Sequence, residues 1–507
     1  MAAVALVGRA GAQVWEVGNI LLTQSPPSDN AAFGLTVAVG DFDGDGNLDL
    51  AVGAPLWSND TGSVTVFRGG GPLRTLEFLA ALQGDAASDH FGEVLAAGDF
   101  DHDGQDELAI GAPYGAIEYG GGPVTSGYVR IAKWSAACPC FETQTISQAD
   151  TTAFAVPGAG NLFGAALAAG DLNGDRYADL AVGANGVAAG GHTNAGAVQI
   201  FYGGASGLRT DNAQGFEAGT GGVLGTPGNG DVMGAALAIG DFDGDGKNDL
   251  AISAPHRTVG SATKAGEVHV LRGSSSGLVT TGQQLLSQES FGGTSGTNDG
   301  FGTSLAAQDF LHDQRSCGPT LCYADLAIGA PGKTVSGQTK AGEVVVGYGG
   351  PSGISTSGAT VLTQNGNGDT PEANDQFGLS LSAGGLQAHF GGLAVGVPTE
   401  SFLPGLQDDG LVQLFFGAPG GLDSGLAAQL VPQAAGFHIA PAADFDAWGY
   451  KVLIADLDGD GWGDAIIAAN KTVSGHSGAG AVEVLFGAMF ADGFESGGTA
   501  MWSGISP

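Results

Sequence analysis

Residues 33–55 read FGLTVAVGDFDGDGNLDLAVGAP, and after a short loop residues 62–67 continue GSVTVF. Short apolar runs rich in Val, Ala and Leu flank a nine-residue acidic stretch that begins at Asp41, so the segment reads strand, acidic loop, strand, loop, strand. Its opening pair, an aromatic residue or Met followed by Gly, recurs at Phe33, Phe91, Phe163, Met233, Phe301, Phe377 and Trp448. The spacing is close to 70 residues from one anchor to the next. A period of that length filling most of a 507-residue chain means one supersecondary unit per repeat. A further strand ending in Gln precedes several anchors, at Leu21 to Gln24, Ile146 to Gln148, Leu286 to Gln288 and Leu362 to Gln364. Four antiparallel strands repeated seven times predict an all-β, seven-bladed β-propeller whose acidic loops join the first and second strands of each blade.

Composition agrees with this reading. Gly accounts for 93 residues, and the helix-favouring Lys, Arg and Glu are scarce. The hydrophobic fraction of 43% is enough to build a core. The predicted propeller covers residues 19–487, with an N-terminal segment at 1–18 and a tail at 488–507. The last unit lacks an evident fourth strand, and residues 13–24, QVWEVGNILLTQ, are expected to supply it, which removes an open sheet edge.

Five units carry the nine-residue loop: DFDGDGNLD from Asp41, DFDHDGQDE from Asp99, DLNGDRYAD from Asp171, DFDGDGKND from Asp241 and DLDGDGWGD from Asp456. Oxygen side chains at loop positions 1, 3, 5 and 9 converge in each: Asp41, Asp43, Asp45 and Asp49; Asp99, Asp101, Asp103 and Glu107; Asp171, Asn173, Asp175 and Asp179; Asp241, Asp243, Asp245 and Asp249; Asp456, Asp458, Asp460 and Asp464. The backbone carbonyl at position 7 (Asn47, Gln105, Tyr177, Lys247 and Trp462) completes an all-oxygen cage of the kind Ca²⁺ prefers, so about five Ca²⁺ are expected. An EF-hand needs Glu at position 12, where this chain has Val52, Ile110, Val182, Ile252 and Ile467 inside apolar strands. In the fifth unit the loop keeps Asp309, Asp313 and Asp325 but carries an insertion with Cys317 and Cys322, and no normal site is expected there. The sixth, GGLQAHFGG at 384–392, has no acid, and that blade is expected to be metal-free.

The four cysteines form two close pairs, Cys317 with Cys322 and Cys138 with Cys140. Local disulfides are expected, although for the second pair the one-residue spacing strains the bridge and leaves free thiols nearly as favoured. Neither pair fits a zinc framework. A formal charge of −36 argues against nucleic acid and anionic membranes as partners. No apolar run approaches the roughly 20 residues of a membrane span. Residues 2–7, AAVALV, lack the basic segment of a secretory signal.

Phe-Gly followed by Gly-Ala-Pro (53–55, 111–113 and 329–331), with DxDxDG between, resembles the FG-GAP repeat of integrin α-subunits. The resemblance implies calcium on one face, a protein or glycan ligand on the other, an extracellular or cell-surface location and a monomeric propeller acting in binding or adhesion. The tail at 490–502, FADGFESGGTAMW, resembles those of exported bacterial proteins. The alternatives are a carbohydrate- or lipid-active enzyme component and a purely structural surface protein. Catalytic motifs are missing: there is no HExxH, and GSSSG at 273–277 shares its repeat position with GGASG at 203–207 and GGPSG at 349–353, so it reads as a turn. The loops between second and third strands fall on the face opposite the acids, and in blades four, five and seven they hold Arg257, Lys264, Lys333, Lys340 and Lys471. These are expected to form a basic rim for an anionic ligand.

Overall fold

The computed structural model describes residues 6–7, 11–14, 20–71, 74–151, 156–311, 323–365, 369–387, 390–403, 405–418, 420–422, 429–432 and 443–486. They form seven antiparallel blade sheets and one small two-stranded hairpin, Ile117–Tyr119 with Gly122–Val124. Blade one runs from the inner strand Thr36–Gly40 through Asp49–Ala54 and Ser63–Gly69 to the outer strand Leu76–Gln83, and the following blades repeat this order. Blade seven is built from Lys451–Ala455, Asp464–Ala469 and Ala481–Leu485, and its outer strand is Ile20–Thr23 from the other end of the chain. Gly11–Val14 and Leu6–Val7 extend that sheet further.

The second strand of each regular blade is buried at every position, as in Asp49–Ala54, Asp179–Ala184 and Asp325–Ala330, because the neighbouring blades pack on both its faces. That is why these strands read as unbroken small apolar runs. The repeat anchors are the plugs between blades: Phe33, Phe91, Phe163, Met233, Phe301, Phe377 and Trp448 are all buried. The cluster holding Phe33 also contains Val52 from blade one and Val482 and Val484 from blade seven. Met and Trp replace Phe here without a change of role.

The two glycines of the motif meet across adjacent blades. A Cβ on Gly53 would sit 2.2 Å from the carbonyl oxygen of Gly92, the anchor glycine of the next blade, and Gly111, Gly183 and Gly396 repeat this clash with Gly164, Gly234 and Gly449. In blade six, strands Ser380–Gln387 and Phe390–Val397 pair closely and leave no room for an acidic loop. Cys138 and Cys140 are bonded to each other beside the outer strand of blade two. Cys317 and Cys322 lie outside the described residues, as does the tail from 487 onward.

Candidate metal centres

Each acidic loop is wound by its own carboxylates. In blade one, Asp41 accepts hydrogen bonds from the backbone N–H of Asp45 (3.0 Å) and Gly46 (2.9 Å), Asp43 accepts from the Asp45 N–H (3.2 Å), and Asp45 from the Asn47 N–H (2.9 Å). The same set recurs in the loops that begin at Asp241 and Asp456. In the loop from Asp171, Asn173 takes the place of the third-position acid. These bonds aim oxygens at one point. Carboxylate oxygens of Asp41, Asp43 and Asp45 lie within 4.8 Å of one another, as do those of Asp241, Asp243 and Asp245, of Asp456, Asp458 and Asp460, and of Asp99, Asp101 and Glu107. An oxygen-only donor set of this density suits a hard cation.

Asp49, Asp249 and Asp464 at position nine fall outside these converging groups, and this carboxylate is tied to the backbone instead. Asp49 accepts from the Phe42 N–H (3.0 Å) and from the Gly69 N–H at the end of the third strand (2.8 Å), stapling the loop to its blade. Asp179 and Asp249 repeat both bonds, and Asp325 does so in blade five with Phe310 and Gly349. The staple therefore survives where the rest of the loop has diverged. Adjacent loops are chained as well: the position-eight N–H of one donates to the position-one carbonyl of the preceding blade, at 3.0 Å for Asp106 to Asp41 and for Ala178 to Asp99.

Basic side chains already reach into several loops. Arg68 pairs with Asp43 and Arg272 with Asp243. Lys133, at the equivalent end of its strand, lies 2.5 Å from Asp101, 2.6 Å from Asp103 and 3.0 Å from Glu107. Arg74 of blade one crosses to Asp458 (2.6 Å) and Asp460 (3.1 Å) of blade seven. An incoming cation competes with these arms.

Burial foremost, with repulsion from neighbouring loop acids, pushes Asp49, Asp179 and Asp249 from an ordinary 3.8 to about 7; in Glu107 burial does the same from 4.5, against the pull of Lys133. Raised folded values mean that the folded protein retains protons that the unfolded chain releases above pH 4. The stability of metal-free protein is thus expected to fall as pH rises from about 4 to about 7. Melting curves in chelator at pH 5 and pH 7.5 check this, and a higher melting temperature at pH 7.5 overturns it.

On the opposite face, three members of the anticipated basic rim turn inward. Arg257 pairs with Asp231 (2.8 Å) and Glu267 (3.2 Å), Lys333 with Asp299 (3.1 Å), and Lys471 with Asp446 (2.6 Å). Lys264 and Lys340 are exposed. The carboxylates that hold the other three sit two residues before an anchor, an offset repeated at Asp89, Asp231, Asp299, Asp375 and Asp446. That regular offset was a usable sequence signal and was missed. A cavity of about 460 Å³ opens around the axis at this end, bordered by the first residues of the inner strands, including Thr36, Glu93 and Lys451. Burial raises the Glu93 carboxyl and lowers the Lys451 ammonium. The GSSSG segment forms the same turn as its two counterparts, with Gly277, Gly207 and Gly353 each donating to the residue three before it at 2.7 to 2.8 Å.

Fold and loops together define a repeat propeller with acidic loops gathered at one end. The FG-GAP repeat model matches residues 33–67, 91–131, 163–201 and 233–271, so the seven-bladed propeller carries four FG-GAP repeats and is similar to integrin α-subunits over part of its length. It is 31% identical to integrin alpha-8 of Gallus gallus over 193 residues, which is 38% of this chain and 17% of that protein. Integrin alpha-PS2 of Drosophila melanogaster is 33% identical over 193 residues (35% and 13%), and integrin alpha-IIb of Homo sapiens 30% over 254 residues (48% and 22%). The chain thus spans between 13% and 22% of the length of these relatives. Among solved structures, Sqt1 of Saccharomyces cerevisiae overlays with a TM-score of 0.44 at 8% identity, covering 91% of this chain and 97% of that one.

Proposed function

We propose that the protein is a calcium-binding, extracellular or cell-surface propeller that acts as a binding or adhesion module rather than an enzyme. The observation that carries this reading is the difference between its two faces. One gathers clustered carboxylates in loops whose backbone is already wound around a cation-sized point. The other gathers the axial cavity and the long loops that carry Lys264 and Lys340. In this reading Ca²⁺ holds the loops and their staples rigid, and the opposite face presents a monomeric platform to a protein or glycan ligand.

The test is a protein and glycan binding array run with and without Ca²⁺. Binding to an anionic ligand is expected, weakened by salt and by the pair Lys264→Glu and Lys340→Glu. Undiminished binding by that pair, with its calcium content intact, overturns the rim. No ligand in either buffer overturns the binding-module reading.

A further inference from the structure

Blade six breaks a rule that its sister blades keep. In blades four, five and seven the buried carboxylate before the anchor is neutralised by a basic residue from the loop after the second strand, giving Asp231 with Arg257, Asp299 with Lys333 and Asp446 with Lys471. In blade two the same carboxylate accepts from the Tyr128 hydroxyl (3.1 Å). Blade six has the carboxylate, Asp375, but its loop supplies Glu400 where blade five supplies Lys333. Each is the fourth residue after the glycine of its Gly-x-Pro triplet, Gly396 and Gly329.

The two blades also share the register of the preceding segment, since Gln288 and Gln364 stand at the same distance before Phe301 and Phe377. That register places Asp369 and Glu372 where blade five has Gly293 and Gly296. Oxygens of Glu372, Asp375 and Glu400 lie within 4.8 Å of one another. Asp375 and Glu400 are each only 3% exposed. The strongest charged neighbours of both are other carboxylates.

Two glutamines close the group. The Gln364 amide nitrogen donates to Glu400 (2.6 Å) and Asp369 (3.1 Å), and that of Gln413 to Asp369 (3.3 Å). Gln364 and Gln413 are 1% and 0% exposed, yet the side-chain carbonyl oxygen of each has no hydrogen-bond partner. A buried carbonyl left without a donor is costly. In blade five the equivalent carbonyl, on Gln288, is taken by the Lys333 ammonium at 2.6 Å. In blade six the Gln364 amide turns its nitrogen to Glu400 instead, so the ammonium of the sister blade has no counterpart among the described residues. Three clustered carboxylates, with Asp369 tied to them through Gln364 and Gln413, and two amide carbonyls make up the six oxygens that a hard divalent ion takes.

We infer that blade six binds a Ca²⁺ through Asp369, Glu372, Asp375 and Glu400, assisted by the carbonyls of Gln364 and Gln413, in the place that a Lys or Arg head group fills in its sister blades. The expectation of a metal-free blade six came from its missing acidic loop, and this site lies on the other face. The inference does not depend on the five loops.

The test counts Ca²⁺ bound to the full chain by equilibrium dialysis after chelator treatment and readdition. Glu400→Lys, which restores the ammonium of the sister blades, is expected to bind one Ca²⁺ fewer than wild type. In chelator it is expected to melt above wild type, because it carries its own counter-ion. Glu372→Gln, on the exposed lip, is expected to keep the fold and weaken one site about tenfold or more. If Glu400→Lys fails to fold, Glu372→Gln decides. An unchanged count in folded Glu400→Lys, or unchanged affinities in Glu372→Gln, overturns the inference. Should the acidic loops bind nothing, wild type would hold one Ca²⁺ and Glu400→Lys none, so the two proposals fail separately.

Discussion

Chelation of Ca²⁺ at pH 7.5 is expected to lower the melting temperature more than any single substitution in this protein. An ion that binds only the folded state adds about 2.7 kcal/mol at a free concentration 100 times its dissociation constant. Four or more such sites would sum to about 10 kcal/mol, comparable with the whole stability of an ordinary domain. The reason is local. The side chains of Asp43 and Asp458 are almost wholly enclosed, and among the described residues the basic arms that reach them are Arg68 and Arg74. Thermal unfolding with and without EGTA, paired with elemental analysis, checks the expectation, and an unchanged curve with no bound metal rejects it. Asp243→Ala refines the experiment, since it should remove one equivalent of Ca²⁺ and leave the other loops loaded. Loss of further equivalents would reveal coupling along the chained loops, through the Asn248 N–H to the Asp171 carbonyl (3.3 Å) and the Ala324 N–H to the Asp241 carbonyl (2.7 Å).

Deleting residues 1–24 is expected to open the ring. The deletion removes the strand that pairs Ile20 with Val484 and Leu22 with Val482, and it takes two side chains of 1% and 0% exposure out of the core between blades seven and one. Burying two such aliphatic side chains is worth about 5 kcal/mol. The third strand of blade seven, Ala481–Leu485, would become a bare edge able to pair with other chains. Hydrogen exchange should show protection lost over residues 464–486 and kept over 179–201. Equal protection of both segments in the truncated protein would mean that the seventh blade holds together on three strands.

Much of this architecture was legible in the sequence because the repeat is written in residues with a single steric or chemical reason to recur. Phe-Gly and Gly-Ala-Pro recur because a large apolar plug fills each blade junction and two glycine backbones meet at five of the seven, with Ser253 and Ala468 replacing one glycine at the other two. The loops recur because their carboxylates wind their own backbone, a local task that needs no knowledge of the rest of the chain. The turn at 273–277 was recognisable as a turn for the same reason.

What lay beyond the sequence depends on partners brought close only by folding. Arg257, Lys333 and Lys471 look like surface charge when counted along the chain, but folding sets each against a carboxylate more than 20 residues earlier. The staple made by Asp49 needs Gly69, which arrives from the far end of the third strand. Whether Cys138 and Cys140 join was open from their spacing and is decided by the hairpin that ends at them. Order along the chain was enough to set the number of blades, the place of the acidic loops and the absence of one from blade six. Which charges are neutralised emerged only on folding, because neutralisation is a matter of distance. In blade six that distance brings Glu400 to Asp375, where the neighbouring blades bring a base.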